Sequence, residues 1–190
     1  MHRRQVTLEL IKAVSSRATC LYSEQDVEMA IDAMANAISG RLHAHNPILL
    51  CIMNGGLILT GRLATRLKFP LQMDYLHATR YRDKTRGAGL HWDRYPGISL
   101  EGRQVLVIDD ILDEGDTLAA VMAHCQALGV RDVLSAVLVD KQHDRKTTNL
   151  KADFVGLEVP DHYLYGYGMD YKGYLRNAPG IFAVDPADCD

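Results

Sequence analysis

The sequence has no apolar run that could cross a membrane. Its longest uninterrupted apolar stretches, such as residues 48–53, fall far short of the roughly 18 residues that a spanning helix needs. The basic residues near the N-terminus are not followed by an apolar segment, so no secretory signal is expected. A strong charge of one sign is also missing, because 24 acidic residues nearly balance 21 basic residues. We therefore expect a cytoplasmic protein that binds neither nucleic acid nor membranes.

Cysteine is scarce, and the common nucleotide-binding and hydrolase motifs are missing. The four cysteines form no C-x-x-C pair and have no metal-site spacing, which argues against a disulfide framework or a zinc site. Cys51 lies in an apolar run and Cys125 in a helical pattern, so we expect both thiols to be buried and inert. The absence of G-K-[ST], G-x-G-x-x-G and G-x-S-x-G removes the usual motifs of P-loop ATPases, Rossmann dehydrogenases and serine hydrolases.

What is present is an ordinary globular composition with locally segregated charge. The chain has 190 residues, of which 47% are hydrophobic, and this length corresponds to one domain at roughly 150 residues per domain. Five carboxylates fall within residues 109–116, whereas four cations fall within residues 80–86. We expect the function to lie where these two opposed blocks of charge meet.

Short apolar strands alternate with helical patterns along the chain. Buried strands are predicted at three continuous apolar runs: residues 48–53, 105–108 and 133–139. Helices are predicted where apolar residues recur at helical spacing: residues 24–44, 57–67 and 117–128. Ser23 and Asp26 resemble a capping box before the first helix, and Gly129 is expected to end the last one. This alternation predicts an α/β fold with a mostly parallel sheet.

Polar residues of unusual type follow three of these strands. Asn54 and Gly55 follow the first strand, a turn over 109–117 follows the second, and Lys141 follows the third. Ligands of such sheets bind at the carboxyl ends of the strands, so we expect one site there. Residues 78–91 are polar and basic without a period, which predicts a long loop that is either functional or simply solvated.

Residues 105–118, VLVIDDILDEGDTL, combine two acids at a strand end with the start of a helix. Asp109 and Asp110 are too costly to bury as unpaired charges, so they must face solvent, hydroxyl groups or a cation. The helix that begins after Gly115 offers free backbone N–H groups and the positive end of its dipole to an anion. Acceptors for hydroxyl groups beside an anion site suit a sugar phosphate. An alternative role, capping of the helix, is open to the remaining acids: Asp113, Glu114 and Asp116.

Four separated motifs carry a resemblance to a known family. They are VLVIDDILDEGDTL at 105–118, IMNGG at 52–56, TRYRDKTRGAGLHW at 79–92 and DFVGLEVPDHYLYGYGMDYKGYLRN at 153–177. In type and order they resemble those of the type I phosphoribosyltransferases, and of the hypoxanthine-guanine branch in particular. The resemblance implies a type I phosphoribosyltransferase fold, a mostly parallel central sheet flanked by helices with a small C-terminal hood. It further implies one domain over 1–190, with a core at about 24–152 and a hood at about 153–184 that includes part of the N-terminal segment.

The same resemblance implies how phosphoribosyl pyrophosphate would bind. Asp109 and Asp110 would bond the ribose hydroxyls, although the family usually has Glu at the first of these positions. Asp113 would be the general base that takes the N7 proton of the purine. The 5-phosphate would lie against residues at the helix start: Glu114, Gly115, Asp116 and Thr117. The pyrophosphate would meet three others, of which the first replaces a common Lys: Asn54, Gly55 and Arg176.

The resemblance also implies the base pocket, the lid and the metal. Lys141 has hydrogen-bond donors and no acceptor, so at the purine 6-position it would accept an oxo group and reject an amino group. Tyr163 would stack on the purine, and backbone groups of Leu164 would meet its 2-position. Asp170 would contact the base site and be linked to Mg²⁺, which favours substrate phosphates plus one or two carboxylates. Arg80 and Tyr81 would belong to a closing lid.

The function that follows from the resemblance is purine salvage. The protein would transfer the phosphoribosyl group of phosphoribosyl pyrophosphate to hypoxanthine or guanine, forming IMP or GMP and pyrophosphate, and would form a homodimer or homotetramer. One alternative is an enzyme that prefers xanthine or another 6-oxopurine. The other is a regulator of the same fold that binds nucleotides to control RNA or DNA. The near-neutral charge and the absence of residues for a second domain favour the enzyme.

Overall fold

The structure is a computed structural model that describes residues 6–80, 90–147 and 149–189. The helices are α1 (Leu8–Arg17), α2 (Glu24–Leu42), α3 (Leu57–Arg66) and α4 (Asp116–Ala127), with a 3₁₀ turn at Pro186–Asp188. The strands are β1 (Thr19–Ser23), β2 (Ile48–Met53), β3 (Gln72–Arg80), β4 (Leu90–Arg94), β5 (Gln104–Leu112), β6 (Asp132–Gln142), β7 (Phe154–Pro160), β8 (Leu164–Tyr165) and β9 (Gly180–Ala183).

Six strands form one mostly parallel sheet in the order β4-β3-β2-β5-β6-β7. Its neighbouring strands are parallel except for β3 and β4, which run antiparallel. Helices α2 and α3 cover one face and α4 covers the other. The predicted α/β fold with a mostly parallel central sheet flanked by helices is therefore confirmed.

Strand β5 shows why its apolar run is uninterrupted. Leu106 and Ile108 pack into the core beneath α2 and α3, whereas Val105 and Val107 pack into the core beneath α4. All four side chains are fully buried, because successive residues of a strand point to opposite faces of the sheet. A central strand covered on both faces thus holds the polar residues at its carboxyl end in a fixed position.

The signals that predicted the start of α2 and the end of α4 are both confirmed. The Ser23 hydroxyl accepts the backbone N–H of Asp26 at 3.3 Å, and the Asp26 carboxylate accepts the backbone N–H of Ser23 at 2.9 Å. This capping box starts α2 at Glu24. Gly129 follows the last residues of α4 with φ +73°, the left-handed conformation that glycine adopts without steric cost.

Strands β5 and β6 are longer than the sequence predicted, and they include site residues that were expected to follow them. Asp109 and Asp110 were expected in a turn, but they lie within β5, because its parallel pairing with β6 continues to Leu112. Lys141 likewise lies within β6 rather than after it. The predicted loop over 78–91 begins and ends in strand, since the end of β3 and the start of β4 pair with each other.

A second, three-stranded sheet has the order β1-β9-β8. It packs with α1 over a small core that includes Tyr165 and Tyr171. Tyr174, which lies in the same segment, is 44% exposed. The division into a core and a hood near residue 152 stays a prediction, and β7 pairs with the large sheet. Among the described residues, no helix has the length and apolar character to span a membrane.

Candidate active site

A cleft of about 630 Å³ lies at the carboxyl ends of β2, β5 and β6. The small sheet closes one side of it through Tyr163 and Leu164. The cleft brings together thirteen of the residues that the sequence singled out: Asn54, Gly55, Asp109, Asp110, Asp113, Glu114, Gly115, Thr117, Lys141, Tyr163, Leu164, Asp170 and Arg176. Segments far apart in the chain thus meet at the sheet edge where a parallel α/β sheet binds ligands.

Among the predicted residues whose side chains the structure describes, Asp116 does not line this cleft. The Asp116 carboxylate instead accepts a hydrogen bond from the Thr147 hydroxyl. Arg80 is the last residue of β3. Tyr81, the other predicted lid residue, lies outside the described residues, as do Arg82, Lys84 and Arg86 of the basic block.

Asp109 and Asp110 are buried at the floor of the cleft. Burial and the neighbouring Asp110 carboxylate raise the pKa of Asp109 well above its usual range. Burial also raises the pKa of Asp110, although Asp109 and Arg176 oppose this effect. The nearest Arg176 nitrogen is 3.9 Å from Asp110, at the outer limit of an ion pair. The negative charges of Asp109 and Asp110 are therefore poorly compensated, and the two carboxylates are suited to accept hydrogen bonds from a ligand.

Two glycines hold the side chain of Asp110 in a narrow slot. A Cβ atom on Gly55 would lie 2.5 Å from Asp110 Cγ and 2.6 Å from Asp110 Oδ1. A Cβ atom on Gly168 would lie 3.2 Å from Asp110 Cβ, and φ at Gly168 is +111°. Both positions therefore need glycine, because no side chain fits between these loops and the carboxylate.

The N-terminus of α4 forms the next part of the cleft. Gly115 precedes the helix in the left-handed conformation with φ +94° and, as a glycine, makes no side-chain capping hydrogen bond. The first backbone N–H groups of a helix have no partner within it and carry the positive end of the dipole. Gly115 and Thr117 both line the cleft, so this helix end offers it an anion site.

Asp113 stands between two donors at the far side of the cleft. Lys141 Nζ lies 3.1 Å from one of its carboxylate oxygens, and His143 Nε2 lies 2.6 Å from the other. Partial burial on its own would raise the pKa of Asp113, but the hydrogen bonds from His143 and Lys141 outweigh burial and lower it. The carboxylate is therefore ionised and faces the cleft as an acceptor.

Lys141 is itself shared between two acids. Its Nζ lies 3.5 Å from Asp161 as well as 3.1 Å from Asp113, and the side chain is largely buried. Arg145 pairs with Asp161 through both guanidinium nitrogens. Sequence reasoning missed His143, Arg145 and Asp161. One signal was available for His143, since it follows Lys141 by two residues at a strand end, where such residues share a face.

Residues 163–176, which include the short strand β8, complete the opposite wall. Tyr163 is 37% exposed, and its ring centroid lies 5.5 Å from that of Tyr171. Asp170 accepts from Arg176 at 2.5 Å and from the backbone N–H of Gly173 at 2.6 Å. Arg176 also donates to the carbonyl of Gly168. An exposed aromatic face and a hydrogen-bonded acid–arginine pair thus border the same cavity.

The two cysteines expected to be inert are buried. Burial raises the pKa of Cys51 to about 11 and that of Cys125 to about 11, so both thiols are protonated at neutral pH. Thiol chemistry at either residue would need a thiolate. The predicted burial of both thiols is confirmed, and their inertness stays a prediction.

Comparison with known proteins identifies the family of this chain. Residues 18–172 match the family model described as phosphoribosyl transferase domain. The chain belongs to the phosphoribosyltransferase family. Within this family it is 30% identical to the hypoxanthine-guanine phosphoribosyltransferase of Bacillus subtilis, over 88% of this chain and 93% of the relative. It is 28% identical to the hypoxanthine-guanine-xanthine phosphoribosyltransferase of Tritrichomonas foetus, over 85% of this chain and 88% of the relative.

Solved structures of phosphoribosyltransferases share the fold. A hypoxanthine-guanine-xanthine phosphoribosyltransferase, 25% identical, matches with a TM-score of 0.77 over 90% of this chain and 97% of its own. A hypoxanthine phosphoribosyltransferase from Staphylococcus aureus, 24% identical, matches with a TM-score of 0.86 over 98% of this chain and 100% of its own. The predicted family resemblance and fold class are both confirmed.

Proposed function

We propose that this protein transfers the phosphoribosyl group of phosphoribosyl pyrophosphate to hypoxanthine or guanine, forming IMP or GMP and pyrophosphate. The observation that carries the proposal is a single cleft in which a buried acid pair, the N-terminus of α4 and the Asp113–Lys141 pair adjoin. The hypoxanthine-guanine specificity named for the Bacillus subtilis relative supports the choice of substrates. This reaction would place the protein in purine salvage.

The sugar pyrophosphate would be held by complementary charge and hydrogen bonding. Asp109 and Asp110 would accept hydrogen bonds from the ribose hydroxyls. These hydrogen bonds would offset the cost of burying the two acids. The 5-phosphate would lie on the N-terminus of α4, against backbone N–H groups of residues 114–117. Asp116 would contribute its backbone alone, because its carboxylate faces Thr147. Asn54, Gly55 and Arg176 would face the pyrophosphate.

Asp113 would act as the general base of the transfer. As the C1–pyrophosphate bond breaks, the ribose gains oxocarbenium character and the purine N9 forms the new bond to C1. The proton that the purine loses from N7 would pass to Asp113, whose ionised carboxylate faces the cleft. A positioned base of this kind contributes typically about 10²–10⁴-fold to a rate.

Lys141 would select the base. Its ammonium group has three donors and no acceptor, so it would bond a 6-oxo group and would leave a 6-amino group without a partner. A site built around such a hydrogen bond can reject the wrong partner by up to about 10⁴-fold. Tyr163 would stack on the purine, and backbone groups of Leu164 would meet its 2-position. Hypoxanthine and guanine would therefore be preferred to adenine.

The donors of the cleft fit Mg²⁺, with Asp170 as the residue that would hold it. Mg²⁺ favours oxygen ligands and commonly combines one or two carboxylates with substrate phosphates. Asp170 presents a carboxylate to the cleft. No group of three or more His, Cys, Asp or Glu among the described residues forms a metal cage, so substrate oxygens would complete the shell. When bound, the ion supplies charge neutralisation at the departing pyrophosphate.

Water must be kept from the activated sugar, and a lid over the cleft would do this. Arg80 and Tyr81 are proposed for this lid, because the family motif covers residues 79–92. Arg80 also ends β3, two residues after Ala78, which lines the cleft. A homodimer or homotetramer is also proposed, as the family resemblance implies. A cytoplasmic location stays a prediction.

Turnover of the purified protein tests the proposed function. Phosphoribosyl pyrophosphate, Mg²⁺ and hypoxanthine or guanine should yield IMP or GMP and pyrophosphate in equal amounts, as measured by chromatography and a pyrophosphate assay. Much faster turnover with xanthine would favour the xanthine-preferring alternative; the name of the Tritrichomonas foetus relative includes xanthine beside hypoxanthine and guanine. Tight nucleotide binding without any turnover would favour the regulator and contradict the proposal.

A further inference from the structure

His143 is buried behind the cleft and faces it only through Asp113. It follows the last residue of β6, and its side chain is only 4% exposed. Its Nε2 atom lies 2.6 Å from Asp113 Oδ1, on the opposite side of the carboxylate from Lys141. The residue does not line the cleft, so its route to the substrate runs through Asp113.

The second ring nitrogen of His143 identifies the tautomer. The backbone N–H of Arg145 donates to Nδ1 at 3.0 Å, and a nitrogen that accepts a hydrogen bond carries no proton. The ring proton of the neutral imidazole therefore lies on Nε2, the atom that faces Asp113. A buried ring held at both nitrogens has one orientation, and in that orientation it donates to one carboxylate oxygen.

We propose that His143 is a positioning residue that holds the Asp113 carboxylate in place for proton transfer. Lys141 cannot hold Asp113 continuously, because Lys141 is also needed at the purine 6-oxo group. When Lys141 Nζ turns towards the purine, His143 remains as the donor that fixes Asp113. The inference rests on the proposed role of Asp113 as the general base.

Charged groups of both signs lie around Asp113 and His143. Lys141 and His143 contact Asp113 directly, Asp161 faces Lys141, and Arg145 is bound to Asp161. A second cation against Asp113 would weaken it further as a base, whereas a neutral N–H group orients the carboxylate without adding charge. Arg145 donates its backbone N–H to the His143 ring, and its guanidinium is bound to Asp161, so Arg145 is itself held in place.

The test compares two variants of His143 with Asp113→Asn. His143→Leu removes the donor, whereas His143→Gln keeps an N–H group at a reach similar to that of Nε2. His143→Leu should lower kcat for IMP formation about 10- to 100-fold, because a hydrogen bond to a charged group is lost, while KM for phosphoribosyl pyrophosphate should change less than about twofold. His143→Gln should recover most of the lost kcat.

The pH profile gives a readout that a purely structural role would not move. The acid limb of kcat reports the ionisation of Asp113, and its donors lower the pKa of this group. His143→Leu should therefore shift the acid limb to higher pH, and His143→Gln should restore it. Should the leucine variant fail to fold, His143→Asn replaces it, because its shorter amide cannot reach Asp113 and should lose kcat while remaining polar.

The outcomes separate the inference from the proposed function. Asp113→Asn should lower kcat about 10²–10⁴-fold, and a wild-type rate for this variant would contradict the general-base role itself. If Asp113→Asn is inactive but His143→Leu or His143→Asn keeps the wild-type kcat and acid limb, then Asp113 is the base and the positioning role of His143 is wrong. Equal losses of kcat in the Gln and Leu variants would also overturn the positioning role.

Discussion

Gly55 leaves the space that the Asp110 carboxylate occupies, and Gly55→Ala tests this arrangement. The added Cβ would lie 2.5 Å from Asp110 Cγ and 2.6 Å from Asp110 Oδ1, about 1 Å closer than ordinary van der Waals contact. The atoms that the added Cβ meets all belong to the Asp110 carboxylate, so this group must turn aside to admit the methyl group. The carboxylate must therefore leave the position from which it would bond the ribose.

Two quantities should change in this variant. Overpacking of this kind costs about 1–3 kcal/mol, which corresponds to a fall in Tm of roughly 2–12 °C at about 2–4 °C per kcal/mol for a chain of this size. Loss of the Asp110 hydrogen bond should raise KM for phosphoribosyl pyrophosphate about 10- to 100-fold. Thermal unfolding and initial-rate kinetics measure the two effects on the same preparation.

Gly61→Ala in helix α3 is the matched control. No atom lies within 4 Å of the Cβ that it would add, and alanine is favoured over glycine within a helix by about 0.5–1 kcal/mol. This variant should have an equal or higher Tm and unchanged kinetics. If Gly55→Ala behaves like Gly61→Ala, the tight slot around Asp110 is wrong. If only its Tm falls, the packing is right and the role of Asp110 at the ribose is wrong.

Three further perturbations test other parts of the site. Lys141→Ala should reduce kcat/KM for hypoxanthine far more than binding of phosphoribosyl pyrophosphate, and equal losses in the two measurements would contradict its role at the purine. Asp109→Asn should abolish most activity yet raise Tm at pH 7. Burial and Asp110 raise the folded-state pKa of Asp109. The wild type therefore loses stability as pH rises above about 4, the pKa of Asp in an unfolded chain. A melting series should show this advantage disappearing below pH 4, and a lower Tm for the variant at pH 7 would refute the reasoning. Removal of Mg²⁺ by a chelator should stop turnover and Mg²⁺ should restore it, whereas metal-independent turnover would rule out the role proposed for Asp170.

Sequence patterns predicted the parts of the fold that depend on local burial. The continuous apolar run at 105–108 reflects a strand covered on both faces, and the Ser23–Asp26 box marks the start of α2. The extension of β5 through Asp109 and Asp110 was not predicted, because polar residues at a strand end look like a turn until the pairing with β6 is known. Pairing between distant strands leaves no local signal of this kind.

The candidate site was predicted as a set of residues but not as a set of contacts. Contacts between side chains depend on how distant segments come together in the fold, and the spacing of residues in the sequence does not specify this. Asp116 was grouped with the phosphate site, yet its carboxylate turns to Thr147. Lys141 was predicted at the purine, yet in the protein alone it bridges Asp113 and Asp161. His143 was missed because a single histidine in a polar segment has no motif of its own.

A competition assay tests the central claim most directly. Hypoxanthine, guanine, xanthine and adenine are supplied together with phosphoribosyl pyrophosphate and Mg²⁺, and the nucleotides formed are separated by chromatography. Because Lys141 offers donors and no acceptor at the 6-position, IMP and GMP should accumulate while AMP stays at background. Formation of AMP as the main product, or of no nucleotide at all, would contradict the account.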